Sequence, residues 1–508
     1  VILERDGSGS GLTGKVTLDQ IFRRAAAERP EAIALADRAG GELRHLSYAS
    51  VEHAVSVLAS RLVALGLPQD SIVALQGAAS MAQVVAVLAA LRAGLIAMMV
   101  PELWREADLT PAIEGCGARA LISLGPSDDL ALTHCRVAAE VFSVRFVCVL
   151  EDEAPDGVVP LGSLESLVDG EIGRLPGYRA GNPAEHVAVL TWDVGPDGPY
   201  VVARSHQALI AGAVPVLLAG RLDAATALVS TIAPSSFAGL AASVVVWLLT
   251  GGSLMLAEPA DTATVAETAA LANATHLLVP AAVGGSLAAE GLLARCADLR
   301  GVLLLNRAPE QAPPPWHAEG ICAIDLTAWG EAALLARRRE GPESRAAIPS
   351  RAHAAAGIDP VAASVAGHRT LQGTLAVSGA MVPSVAYPVP AGTGLPLVAD
   401  SAYDTGWTCH ADPGGAGLIS DAPPRGVARV GGYRVSLRDA EAKLTKLADA
   451  PVEVAALPHR VLGQRVVATT EGEVDPAAAA AALPLVGVSP AKAPSAGTAS
   501  TTRTRRNA

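Results

Sequence analysis

A chain of 508 residues exceeds a single compact core, so two or more domains are expected. Its residues are 51% hydrophobic but only 3% aromatic, which predicts cores of Val, Leu and Ala, and a net charge of −12 argues against a general nucleic-acid binder. Six scattered cysteines without CxxC spacing point away from a disulfide framework or a structural metal.

In chain order the pattern alternates helices and strands. Residues 1–14 are polar and lack a basic-then-apolar signal pattern, so a cytoplasmic setting is expected. "SYASVEHAVSVLASRLVAL" reads as an amphipathic helix, "SIVAL" as a buried strand, and "MAQVVAVLAALRAG" as a helix closed by Gly94. "ARALISL" and "VRFVCVL" are apolar strands between helical segments. "TWDVGPDGPYVVARSH", residues 191–206, then follows the apolar run "HVAVL" and enters the helix "QALIAGAVPVLLAG". A strand, a Gly-rich turn and a helix N-terminus make an anion cradle in nucleotide sites. Here Asp193 and Asp197 add negative charge, Pro196 and Pro199 delete backbone donors, and no lysine is present. Lysines occur in the whole chain only at 15, 443, 446 and 492.

"ASVVVWLLTGG" is too short for a membrane span, so no membrane partner is expected. "SLMLA", "THLLVP" and "GVLLL" continue an α/β organisation with largely parallel sheets. After about residue 340 the texture becomes "GTLAVSG", "SVAYPVP" and "AGLIS", which predicts a β-rich subdomain. "SDAPPRG" at 420–426 reads as a hinge. Beyond it "VARVGGYRVSL", the helix "RDAEAKLTKLA" and the strands "VEVAAL" and "QRVVATT" form a small α+β unit. Residues 488–508, ending in the basic "TRTRRNA", read as a solvated tail.

These pieces in this order resemble the ANL superfamily of acyl-CoA synthetases, luciferases and peptide-synthetase adenylation domains. "VVAVLAALRAGLIAMMVP", "GGSLMLAEPADTATVAETAALANATHLLVP", "YDTGW" and "RVGGYRVSLRDAEAKL" carry the likeness. It implies a large N-terminal domain, residues 1–424, of αβαβα layers plus a β-rich subdomain. A small mobile α+β lid would occupy residues 425–508. The positions that serve adenylation in that superfamily are altered here. The phosphate-loop hydroxyls and first glycine become Trp192, Asp193, Val194, Gly195 and Pro196, and the loop lysine becomes Tyr200. In "WGEAA" the aromatic and glycine remain as Trp329 and Gly330, but the Thr and the metal-holding Glu map to Ala332 and Ala333, with Glu331 two places early and facing another way. The ribose-binding aspartate is Trp407, and the lid lysine falls on Arg506. Each lost charge-assisted contact is worth about 1.5–3 kcal/mol.

The resemblance leaves the acyl pocket and the lid interface. Phe237 and Gly239, with Trp329 and Gly330, map to the acyl pocket, with a Phe-Ala-x-Gly-Leu stretch like that of aryl-CoA ligases. Gly431, Gly432, Tyr433 and Arg434 lie on the path that delivers a pantetheine thiol in the resembled family. His206, Tyr200 and Cys409 are the candidate catalytic side chains; direct thiol exchange competes with a Cys409 nucleophile, because Cys409 and the adjacent His410 point to opposite faces of a strand. The leading expectation is an ATP-independent acyltransferase that moves an acyl or aryl group from CoA to the pantetheine of an acyl carrier protein, a nearly thermoneutral exchange. It would use no resident cofactor, no metal, and neither ATP nor Mg²⁺. Arg429, Arg434 and Arg438 would form the carrier-docking patch. Two alternatives stand beside it. One is a non-catalytic pseudo-ligase scaffold for a carrier or paralogue. The other is an atypical ATP-dependent acyl- or aryl-CoA ligase using Glu331 for the metal and Arg506 for the lid lysine. An acyl pocket plugged by Trp192, Trp329 and Trp407 would favour the scaffold.

Overall fold

The structure, a computed structural model, describes residues 15–39, 42–125, 128–177, 182–258, 261–350, 364–384, 387, 395–415, 417–430, 433–448, 451–459 and 463–470. Two large sheets dominate. The first has seven strands in the order Val159–Pro160, Phe146–Val149, Ala120–Leu124, Ile72–Gly77, Ile96–Met99, Val187–Gly195 and Gly198–Ser205. All neighbours pair parallel except the last two, which form an antiparallel hairpin. The second has eight strands, with parallel neighbours flanked by antiparallel edges at Glu42–Ser47 and Ala333–Arg338.

Strand alternation explains the layers. In Ile72–Gly77, Val73 and Leu75 face one apolar cluster, while Ile72 and Ala74 face another. The shared inner cluster joins both sheets through the helices Tyr48–Ala64, Met81–Arg92 and His206–Gly220 and the helical run 237–250. Those helices are apolar around most of their circumference because they are covered on both sides. Helices Glu106–Cys116 and Asp128–Glu140 cover the outer face of the first sheet, and Thr262–Leu271 and Ala281–Ala289 that of the second. The result is the αβαβα arrangement expected from the sequence. Each inner helix starts at a serine whose hydroxyl accepts from the backbone three residues on: Ser47 from Ser50, Ser80 from Gln83 and Ser205 from Ala208. At the centre Phe22, Tyr48 and Trp247 pack with ring centroids 5.7–6.2 Å apart, and the Tyr48 hydroxyl donates to the Gly252 carbonyl at 2.8 Å.

The β-rich expectation after residue 340 corresponds to a five-stranded antiparallel sheet built on Thr374–Ser378, Tyr403–Ala411 and Gly417–Ala422; "SVAYPVP" lies mostly outside the described residues. The last unit is a four-stranded sheet in the order Tyr433–Ser436, Val427–Val430, Gly463–Thr470, Val452–His459, carrying helix Leu437–Ala448. Its Tyr433–Ser436 strand lies against the 187–205 hairpin of the large domain. Among the described residues no helix is long and apolar enough to cross a membrane.

Candidate active site

The disarmed loop is not a loop. Val187–Gly195 and Gly198–Ser205 pair down to Gly195 opposite Gly198, leaving Pro196 and Asp197 as the turn, with Gly198 at φ +122°. Runs of Trp, Val and Tyr on both sides favour pleated pairing, and Pro-Asp-Gly supplies the turn. This corrects the expectation of a Gly-rich cradle. The segment that would wrap a phosphate is consumed in a hairpin, and its side chains now project from strand positions.

Asp193 projects inward and is 2% exposed. Its Oδ2 accepts from the Glu331 backbone N–H at 2.9 Å and the Tyr403 hydroxyl at 3.1 Å. Its Oδ1 accepts from the Val194 N–H at 2.8 Å and from Arg434 Nη1 at 2.7 Å. Gly330 makes this possible: it stands at φ +56°, and a Cβ there would lie 2.5 Å from Asp193 Oδ2 and 2.6 Å from Arg434 Nη1. Glu331 turns inward as well. Its Oε2 accepts from the Thr191 hydroxyl at 2.6 Å and the Phe237 N–H at 2.8 Å, with Arg204 Nη1 at 3.7 Å. Arg204 also donates to the Glu331 carbonyl and lies 3.8 Å above the Phe237 ring.

Burial is costly for both members of the Arg204–Glu331 pair. It pulls the Arg204 guanidinium down to about 10, against the attraction of Glu331, and pushes the Glu331 carboxyl up, against the attraction of Arg204. At Arg434 burial again pulls downward, but Asp193 and the two buried phenols outweigh it and hold the guanidinium above its ordinary value. Tyr200 and Tyr403 share a hydroxyl contact of 2.5 Å, and burial pushes both well up, so neither ionises near neutral pH.

Around this network Trp104, Trp192, Trp407, Tyr433, Ser235, Ser236 and Arg307 enclose a cavity of about 60 Å³. Trp104 and Trp192 meet at 5.0 Å between centroids, and Arg307 lies 5.2 Å over the Tyr433 ring. The Trp407 indole donates to Glu310 at 3.0 Å, and Arg434 sits 5.1 Å over its ring. Trp329, Ala332 and Ala333 are buried, and the Trp329 indole donates to Ser420 at 2.8 Å.

Several sequence assignments move. His206 does not reach the cavity: its Nδ1 accepts from the Leu18 N–H at 3.3 Å, and it lines a separate groove of about 780 Å³ with Thr17 and Arg92. Cys409 is buried in its strand away from the cavity, its thiol pushed up to about 11 by burial, while His410 faces outward and contacts Asp421 at 2.7 Å. Neither is placed for acid–base or nucleophilic work. Tyr200 lies beside Asp193, locked to Tyr403. Of the acyl-pocket positions only Gly330 borders the cavity; Phe237, Gly239 and Trp329 are packed behind it. Glu331, expected to face another way, is at the centre. Tyr433 and Arg434 do line the cavity, whereas Gly431, Gly432 and Arg506 lie outside the described residues. Of the arginine patch, Arg429 and Arg434 turn inward onto Glu310 and Asp193, whereas Arg438 is exposed and pairs with exposed Asp197. Among the described residues no three His, Cys, Asp or Glu side chains gather as a metal site.

Sequence reading missed Arg204, Arg307, Trp104 and the support behind Trp104. There the Gln76 amide donates to the Pro101 and Trp104 carbonyls at 3.1 and 3.0 Å and meets buried His134 at 2.8 Å. The available signal was a lone charge or amide inside an apolar strand, "YVVARS" and "IVALQG".

Residues 22–325 match the family described as AMP-binding enzyme. A medium-chain fatty-acid–CoA ligase of Escherichia coli (strain K12) is 29% identical over 109 residues, which is 22% of this chain and 19% of that protein, so the match spans about a fifth of the curated relative. The amide bond synthetase McbA from Marinactinospora thermotolerans superposes with a TM-score of 0.68 at 19% identity, covering 92% of each chain. The anthranilate CoA ligase AuaEII, solved with anthranoyl-AMP, superposes with a TM-score of 0.67 at 15% identity, covering 90% of this chain and 86% of that one. At these identities the likeness to solved structures is one of fold.

Proposed function

The chain belongs to the AMP-binding enzyme family of the ANL superfamily, and from that premise we propose that it works on a small acyl or aryl carboxyl group as an atypical acyl- or aryl-CoA ligase. The relatives favour this over the ATP-independent transfer expected from the sequence. One is a fatty-acid–CoA ligase and one an anthranilate–CoA ligase, and nothing among them speaks for a carrier protein. The observation that carries the substrate class is the cavity lining. Trp104, Trp192, Trp407 and Tyr433 offer flat apolar faces, and Arg307 and Arg434 offer guanidinium groups. That pairing suits a carboxylate carried on a ring or a short apolar chain.

The nucleotide itself does not fit the residues present. By the family resemblance, and with the lid closed as here, Trp407 would stand at the ribose position, Ala333 at that of the metal ligand, and Asp193 would set a carboxylate near the phosphate oxygens. The cavity of about 60 Å³ is also far below the roughly 300–1,000 Å³ of ligand pockets. No step is therefore routed through a nucleotide here. Tyr433 and Arg434 both come from the lid, so the cavity widens only if the lid withdraws. What the chain's own residues do is orient the carboxyl through Arg307, hold its apolar part between indoles, and exclude water.

The closed ionic network favours a second reading. In it the chain no longer adenylates, uses neither ATP nor Mg²⁺, and binds an acyl group already activated as a thioester, or serves as a pseudo-ligase. One experiment separates the two. The purified chain is incubated with Mg·ATP, CoA and a panel of benzoate, anthranilate and octanoate, and pyrophosphate release and thioester formation are followed. Thermal stabilisation by each acid and its CoA thioester is measured alongside. Pyrophosphate with thioester supports the ligase. Stabilisation by a thioester without pyrophosphate supports the second reading. Neither signal with any acid overturns the assignment to acyl groups.

A further inference from the structure

The four donors on Asp193 have the composition of an oxyanion site: two backbone N–H groups, a phenol and a guanidinium. Such a set ordinarily meets a ligand's carboxylate or phosphate. Here the anion is part of the chain. Gly330 leaves room for it, since any side chain there would strike both Asp193 and Arg434. Three of the donors and the anion belong to the large domain, but Arg434 belongs to the lid strand Tyr433–Ser436, so the contact crosses the domain junction.

We infer that Asp193 is a built-in anion, a self-ligand that holds the lid docked through Arg434 in the absence of any bound ligand. Supporting contacts run along the same junction. The Ser436 hydroxyl donates to the Pro196 carbonyl at 2.7 Å, Arg438 pairs with Asp197 at 2.6 Å, and Lys443 pairs with Asp108. The Arg438–Asp197 pair is exposed and contributes little. The Arg434–Asp193 pair is buried on both sides, with side chains 11% and 2% exposed, and it is accompanied by one other buried pair across the junction, Arg429–Glu310. The consequence is specific. An anionic ligand must displace Asp193 to reach the donors, and displacement frees the lid instead of closing it. The inference is independent of which acyl reaction, if any, the site performs.

The test reads lid docking. Arg425, in the hinge, is exposed, so tryptic cleavage there reports release of the lid, and the small-angle-scattering radius gives a second readout. The wild-type chain without additives is expected to be compact and slow to cleave. Asp193→Asn, which keeps the shape and removes the charge, is expected to raise hinge cleavage about tenfold or more, the change that about 1.4 kcal/mol of lost docking produces. Asp193→Gly empties the cradle, and added acetate is expected to restore protection where sodium chloride of equal ionic strength does not. Arg434→Gln, which touches only the lid side, keeps the test decisive if an Asp193 variant does not fold. A wild-type lid that is mobile without ligand overturns the inference. So does protection of Asp193→Asn and Arg434→Gln equal to wild type, which would assign docking to the Arg429–Glu310 and Lys443–Asp108 pairs. A loosened Asp193→Gly lid that acetate does not restore overturns the claim that the donors form an anion site.

Discussion

Replacing Gly330 by alanine tests the network through its smallest member. Gly330 sits at φ +56°, so an alanine there carries roughly 1–2 kcal/mol of left-handed backbone strain whatever surrounds it. Its methyl would also lie 2.5 Å from Asp193 Oδ2 and 2.6 Å from Arg434 Nη1, distances at which something must move. Moving either group disrupts the buried Arg434–Asp193 pair, and breaking such a pair costs about 3–5 kcal/mol when one partner is lost. The two contributions are separable by a double-mutant cycle. In the wild-type background Gly330→Ala is expected to lower stability by strain plus pair disruption. In an Asp193→Gly background, where the carboxylate is already gone, it is expected to cost close to the strain alone. Urea midpoints with matched slopes give the four corners. An equal cost in both backgrounds would refute the reasoning, because the methyl would then not be felt through the carboxylate.

His134 gives a pH prediction. Burial lowers it from 6.5 to about 4, so the unfolded chain takes up the proton first as pH falls. Its contribution to stability is full above about pH 6.5 and is lost as pH falls toward 4, by roughly 3 kcal/mol at the acid limit. Urea midpoints between pH 7.5 and 4.5 should fall for wild type and fall less steeply for His134→Gln; parallel slopes would count against it. Phe22→Ala, at the ring cluster with Tyr48 and Trp247, is expected to lower stability by about 3–5 kcal/mol in the same assay, and a loss under 1 kcal/mol would mean that the three rings do not pack as described. Cys409→Ala is expected to leave binding of acids and CoA thioesters unchanged, as isothermal titration can show, whereas Trp192→Ala, which removes a cavity wall, is expected to weaken it. Loss of thioester turnover in a folded Cys409→Ala chain would restore the covalent route.

How much of this was legible follows from what each signal depends on. The layers were readable because parallel strands buried on both faces are written as continuous apolar runs, and because serine caps and glycine stops punctuate the helices between them. That Trp192, Ala333 and Trp407 change chemical type at positions of family motifs was likewise readable. The partners met by the neighbouring side chains were not. Asp193 reaches Arg434 across 241 positions of chain and Tyr403 across 210, and Thr191 reaches Glu331 across 140. No local pattern encodes such pairs. The error over Glu331 has a local origin: it lies in the turn between Cys322–Trp329 and Ala333–Arg338, where strand alternation does not set the facing, and Gly330 at positive φ turns the chain and brings the carboxylate inward.

Charge balance then bears on what the cavity can admit. The buried centre holds two guanidinium groups, Arg204 and Arg434, and two carboxylates, Asp193 and Glu331, and so has no charge to spare for an added anion. A triphosphate would bring several negative charges into a buried site whose charges are already balanced, with Asp193 repelling it at short range. A carboxylic acid brings one. It can take the place of Asp193 at constant charge only if Asp193 turns away from the buried centre, since Asp193 belongs to the large domain and Arg434 to the lid, and Arg307 at the rim can accompany the incoming group. Between the triphosphate and the acid, the singly charged acid is therefore the one that this electrostatic centre can accept at the lower desolvation cost, which is the physical ground for looking first at small aryl and acyl acids.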